Sequence, residues 1–301
     1  MRKDIVIPLL ALVGGAAGFA LRRVQLRTGF ESDTGLAIPG CPAALALIVL
    51  SAAVAAALLL LCRGSLRPFH GYDDAMLTHD PGARAMGNAA AFLVLVAGAW
   101  DLQELFFTDW PQVTAQAASI RAMGGNTLPI LLSGLLLPIL SVVLCVAAAL
   151  SLLMLTRNNF WGERRGDRSV FLLLPAYGSC LWLILTYREL SNDPVVQQYA
   201  YQLLAIVCIT LALYFTVTLS FGKHPHPAAA LFFSLLGVYF SLVTLADGYG
   251  LTPTMLFLAA ILWLTSQSFV LLRNGARLPW PLPPFRPDQD DGEDGADSRG
   301  N

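Results

Sequence analysis

Apolar residues come in long unbroken runs, and the polar residues collect between them. A helix that crosses a bilayer needs about 20 mostly apolar residues, within a range of about 17–25. Eight runs qualify: Ile5–Leu21, Ala43–Cys62, Asn88–Phe107, Leu128–Leu155, Ser169–Tyr187, Val196–Phe221, Ala228–Ala246 and Pro253–Leu272. Barrel strands would show period-2 alternation over about 9–11 residues. "SAAVAAALLLLC" and "LLLPILSVVLCVAAALSLLML" show none. The pattern predicts an all-α polytopic transmembrane helical bundle of about eight spans over residues 1–278. A cytoplasmic tail, residues 279–301, turns from Pro-rich to acidic and is expected to be disordered from about Pro287. Pro129, Gly134 and Pro138 in the fourth run predict a kink or an interfacial first turn, and Pro175 a bend in the fifth.

Composition agrees with this pattern. The chain is 56% hydrophobic and 13% charged, whereas soluble domains average about 25% charged. Its surface must therefore face something other than water, and the lipid bilayer is the first partner. A formal net charge of -1 gives no electrostatic case for nucleic acid. Cys41, Cys62, Cys145, Cys180 and Cys208 are scattered singly, and four of them lie in or beside apolar runs, as small hydrophobes do.

Orientation follows from Lys and Arg in the short flanks. With eight spans both termini share a side, and that side holds thirteen such residues against five on the other. Both termini are therefore expected in the cytoplasm. Arg22, Arg23 and Arg27 are the misfit, since they fall on the outer side and suggest snorkelling to headgroups. The start "MRKDIVIPLLALVGGAAGFA" also has the basic-then-apolar form of a signal peptide. Arg22 and Arg23 follow it at once and oppose export, which favours an uncleaved helix. Gly14 and Gly18 form a GxxxG, and the second run is rich in Ala. Such small-residue faces pack helices within a chain or between copies.

No run carries a charge at its centre, where one costs about 2.5–3.5 kcal/mol on insertion scales. The centres hold hydroxyls such as Ser141, Thr210, Thr216, Ser234 and Ser241, which tend to bond back to their own helix. Ionisable groups gather at the outer ends instead. In "LVAGAWDLQELFFTDWP", Asp101 and Glu104 stand at i and i+3 and share a helix face. Arg188 and Glu189 end the fifth run, and Asp247 ends the seventh. These five form a candidate outer polar cluster for substrate binding, set against the simpler readings of solvated helix ends or a structural Glu104–Arg188 pair. Asp193-Pro194 and Thr252-Pro253 read as N-cap plus Pro at the first helical position. His70, Asp73, Asp74, His79 and Asp80 in the second loop match no metal-binding spacing. No metal site, no cofactor motif, no GxSxG and no HExxH is present, so no catalytic residues are assigned and an enzyme is not the favoured reading.

"GFALRRVQLRTGFESDTGLAIPGCPAALAL" and "YRELSNDPVVQQYAYQLLAIVCITLALYFTVTLSFGK", followed by "LVTLADGYG", resemble recurring segments of uncharacterised multi-pass membrane proteins of Gram-positive gut Clostridia. The resemblance covers Pro8 to about Asn274 and implies a bacterial protein of a single cytoplasmic membrane. It brings no activity with it. It implies that Arg22, Thr34, Gly35, Tyr187, Arg188, Pro194, Tyr201 and Asp247 belong to the recurring pattern.

Three functions remain open. A small-solute transporter predicts a cavity entering from the Asp101, Glu104 and Arg188 side. A non-enzymatic sensor or scaffold subunit predicts a closed bundle and partner contacts through "RNNFWGERRGDR". An intramembrane enzyme would need the outer carboxylates as its catalytic groups. The topology has a direct check: a fluorescent reporter fused to the C-terminus is expected to glow in the cytoplasm, and a reporter active only outside is expected to stay silent.

Overall fold

The computed structural model describes residues 3–31, 36–67, 69, 71–162, 169–190, 195–221, 225–278 and 280. Eight helices are long and apolar enough to cross a membrane, as the run lengths predict. The elements are α1 (Lys3–Thr28), α2 (Pro42–Cys62), a short α3 (Tyr72–Met76), α4 (Pro81–Glu104), α5 (Trp110–Ala122), α6 (Leu128–Trp161), α7 (Ser169–Leu190), α8 (Val196–Phe221), α9 (Pro227–Thr244) and α10 (Leu251–Gly275). The chain is an all-α polytopic bundle.

Proline and short polar side chains set the boundaries. Pro42, Pro81 and Pro227 stand in the first turns of α2, α4 and α9, where a missing N–H costs nothing. Asp80 caps α4 by accepting from the Ala83 N–H at 2.9 Å. Gly162 ends α6 in the left-handed conformation. Several helices exceed the apolar runs, because helical hydrogen bonding continues after the apolar stripe stops. α1 runs on through Arg22, Arg23 and Arg27 to Thr28. α4 passes through one π-helical turn, Leu105–Asp109, into α5, so the helical stretch spans Pro81–Ala122. At about 1.5 Å per residue that path exceeds a ~30 Å hydrocarbon core about twofold. α5 and the first turns of α6 therefore overshoot the other helices. α6 continues through Pro138 and α7 through Pro175.

Helices α4, α6, α7, α8, α9 and α10 close a ring, each packed on the next, with α10 returning to α4. α1 and α2 lie against the outside of α9. α9 is thus covered on both sides and is two-thirds buried. Small residues permit the closest crossings. A Cβ on Gly15 would stand 2.6 Å from Leu242, and one on Gly18 would stand 2.6 Å from Val243, both on α9. The GxxxG of α1 packs within the chain. Gly98 meets Cys145, and Gly134 meets Val113, along one antiparallel α4–α5 and α6 pairing.

One end of the bundle gathers the start of α1, the end of α10, α3 and the Arg67–Asp74 ion pair at 2.6 Å. Asn274 ties α10 to the α3 turn there, donating to the Ala75 and Leu77 carbonyls at 2.8 and 2.9 Å. Trp280 donates to Asn274 at 2.7 Å. This is the terminal end. The opposite end carries Asp101, Glu104, Glu189 and Asp247 and is the acidic end. Three of the central hydroxyls, Thr210, Thr216 and Ser234, bond back to their own helices as expected.

Candidate functional site

The buried stripe of α1 is Ile7, Ala11, Gly15, Gly18, Arg22 and Gln25, at helical spacing throughout. Arg22 is therefore carried into the bundle by the periodicity of the small residues before it, and it is fully buried. It does not snorkel to the headgroups. Its Nε donates to Asp247 at 2.6 Å, one terminal nitrogen to Gln25 at 3.0 Å and the other to the Gln198 carbonyl at 2.6 Å. Its guanidinium also lies 5.2 Å from the centre of the Tyr201 ring. One side chain thus ties α1 to the end of α9 and the start of α8. The planar fork spreads its donors over three nitrogens and so spans acceptors from three elements, whereas a lysine ammonium is a compact point charge. Desolvating each ion costs several kcal/mol, and the pair offsets this only with such saturation.

A second polar centre lies beside it. The stripe Ala83, Gly87, Ala90, Val94, Ala97 brings Asp101 onto the buried face of α4. Asp101 accepts from the Thr252 hydroxyl of α10 at 2.7 Å and from the Ser141 hydroxyl of α6 at 3.4 Å. Thr252 therefore does not cap α10, which begins at Leu251 after Gly250. Its hydroxyl is turned to Asp101 instead. Around these residues the ring encloses a cavity of about 370 Å³, within the roughly 300–1,000 Å³ of small-molecule sites. Asp101, Glu104, Glu189, Ser141, Thr252 and Gln202 line its polar part. Glu104 and Glu189 are exposed and form the rim. Farther in the wall is apolar, with Leu144, Ala148, Trp182, Leu213 and Ala260, down to Trp263. From Thr252 to Trp263 the helix rises about 16 Å, so the cavity reaches about half way through a ~30 Å core.

The five residues singled out in the sequence all lie at this end, but they do not form one group. Asp101, Glu104 and Glu189 line the cavity. Their charges act on one another, and the charge of Arg188 also acts on Glu189. Arg188 is exposed and is not part of the lining, and it forms no ion pair with Glu104. Asp247 belongs to the Arg22 centre. Arg22, Gln25, Gln202, Thr252 and Trp263 were not singled out as site residues from sequence. Two of them could have been reached by extending a stripe of small residues one more turn, Gly18 to Arg22, or by reading Thr252 as a partner instead of a cap. Thr34, Gly35, His70, Asp193, Pro194, Arg164, Arg165, Arg168 and the tail after Trp280 lie outside the described residues. The five cysteines are free.

No protein-family model, curated protein or solved structure matches the chain. The geometry stands by itself. Arg22→Leu, which leaves Asp247 buried without its counter-charge, is expected to cost about 3–5 kcal/mol. The double variant Arg22→Leu with Asp247→Leu is expected to be more stable than Arg22→Leu alone. Thermal unfolding in detergent checks both, with Asp247→Leu completing the cycle, and a double loss equal to the sum of the two single losses would show that the charges are not coupled.

Proposed function

We propose that the chain is a carrier for a small solute, set in a cytoplasmic membrane with both termini inside and the acid-lined cavity open to the outside. One observation carries this reading. Trp263, the floor of the cavity, is also part of a second hollow of about 20 Å³ on the terminal side. Thr78, Arg84, Thr156, Asn159 and Gln267 line that hollow. The buried Trp263 indole thus borders both hollows, which lie along one helix face of α10. The Trp263 Nε1 and both amide atoms of Gln267 are buried with no hydrogen-bond partner among the described residues. Unsatisfied buried groups are costly, and a path that wets or binds a solute in another state would satisfy them.

Two features supply compliance. Pro175 lines the cavity and removes one hydrogen bond from α7. The π-helical turn Leu105–Asp109 follows Glu104 directly, and such turns mark helix irregularities that recur at functional sites. A scaffold or sensor subunit expects a closed bundle, and a cavity of this size speaks against it.

Ala260, deep in the lining, offers the test. Ala260→Cys is made in a chain whose five native cysteines are replaced by Ala, and a charged, membrane-impermeant maleimide is applied to right-side-out and inside-out vesicles. The carrier reading expects labelling from both sides, with Trp263→Ala accelerating the cytoplasmic reaction. Labelling from outside alone, or from neither side, would contradict it.

A further inference from the structure

The chemistry of the cavity narrows what it can hold. Asp101, Glu104 and Glu189 place three formal negative charges at the mouth, and although the charge of Arg188 acts on Glu189 from outside the lining, no cation among the described residues stands within 4 Å of any of the three. An anionic solute would meet repulsion at the entrance. A compact inorganic ion needs converging ligands, and no group of three or more His, Cys, Asp and Glu among the described residues is arranged to hold one. The charge is spread around a wide opening and suits a diffuse cation.

The interior supports the same conclusion independently. Gln202 lines the cavity and is 5% exposed, and its Oε1 has no hydrogen-bond partner among the described residues. A buried acceptor left open calls for an N–H or O–H donor from whatever enters. Three of the six tryptophans of the chain, Trp100, Trp182 and Trp263, are in the wall. Indole faces attract cations more strongly than other aromatic rings do. Between the mouth and Trp263 the lining is largely aliphatic, with Leu144, Ala148, Leu213 and Ala260, and suited to an apolar chain.

We propose that the cavity binds a protonated organic amine with an apolar body, its ammonium group among Asp101, Glu189 and Gln202 and its apolar part reaching toward Trp263. This rests on the carrier reading only for the passage of the solute; binding is a separate matter. A matched series tests it: octylammonium, octanol and octanoate, added to the purified full chain and followed by quenching of tryptophan fluorescence and by the unfolding temperature. Octylammonium is expected to bind saturably and at least about tenfold more tightly than the other two, the size of a lost charge-assisted bond. Glu104→Gln with Glu189→Gln, two rim positions remote from packing, is expected to weaken it by about tenfold, and Gln202→Leu to weaken it as well. Asp101→Asn is a further variant, informative where its unfolding temperature without ligand matches that of the parent. Preference for octanol or octanoate, binding insensitive to the rim variants, or no saturable binding of octylammonium would each overturn the proposal. The amine site would stand if octylammonium bound while Ala260→Cys was labelled from outside only. In that case the carrier reading alone would fall.

Discussion

A fully buried arginine sets the terms for the acidic end of this bundle. Arg22 reaches three acceptors, from its own helix, from the start of α8 and from the end of α9. A charge in a low-dielectric interior is tolerated only when it is paired and saturated with hydrogen bonds. The ends of three helices must therefore stay where the guanidinium can reach them. α9 is the covered helix of the fold, and through it the constraint passes to both α8 and α10, its neighbours in the ring. α10 presents Thr252 to Asp101 directly after the turn that contains Asp247. The ion pair and the cavity mouth are thus consecutive on one stretch of chain, Asp247 to Thr252.

The cavity collects polar side chains from four helices, Asp101 of α4, Ser141 of α6, Gln202 of α8 and Thr252 of α10. Most of the bundle follows the usual economy of membrane interiors: apolar or small faces in contact, and hydroxyls bonded to their own backbone. Buried polar atoms without a partner among the described residues occur on several helices, Ser151, Ser241, Thr244 and Thr265 included, and three of the residues that carry them, Gln202, Trp263 and Gln267, line the two hollows. Trp263 borders both hollows, and its indole N–H has no partner among the described residues.

Much of the fold was legible in the sequence because run length and composition are set by the bilayer. The eight apolar helices, the helical class and the end of the bundle shared by the carboxylates all follow from that constraint. The ring order and the fate of each carboxylate do not, since they depend on which face of each helix turns inward. Asp101 and Glu104 share a face by spacing, yet Asp101 bridges α6 and α10 while Glu104 stays at the rim. Asp247 seemed part of one cluster with them, and the buried Arg22 claims it instead. The basic residues after the first run read as a violation of charge asymmetry. For Arg22 the explanation lay four residues earlier, in Gly18, whose packing face it continues. Gln202 and Trp263 carry no sequence signal apart from their position on apolar helices.

The central claim is that the acidic end holds an open cavity beside the Arg22–Asp247 pair. An electron cryomicroscopy map of the protein in lipid nanodiscs tests it most directly. The account predicts Arg22 in contact with Asp247 and a cavity bounded by Asp101, Glu189 and Trp263 that holds water or a small solute. Helices α6, α7 and α10 collapsed onto one another, or the space filled by the acyl chain of a membrane lipid, would contradict it.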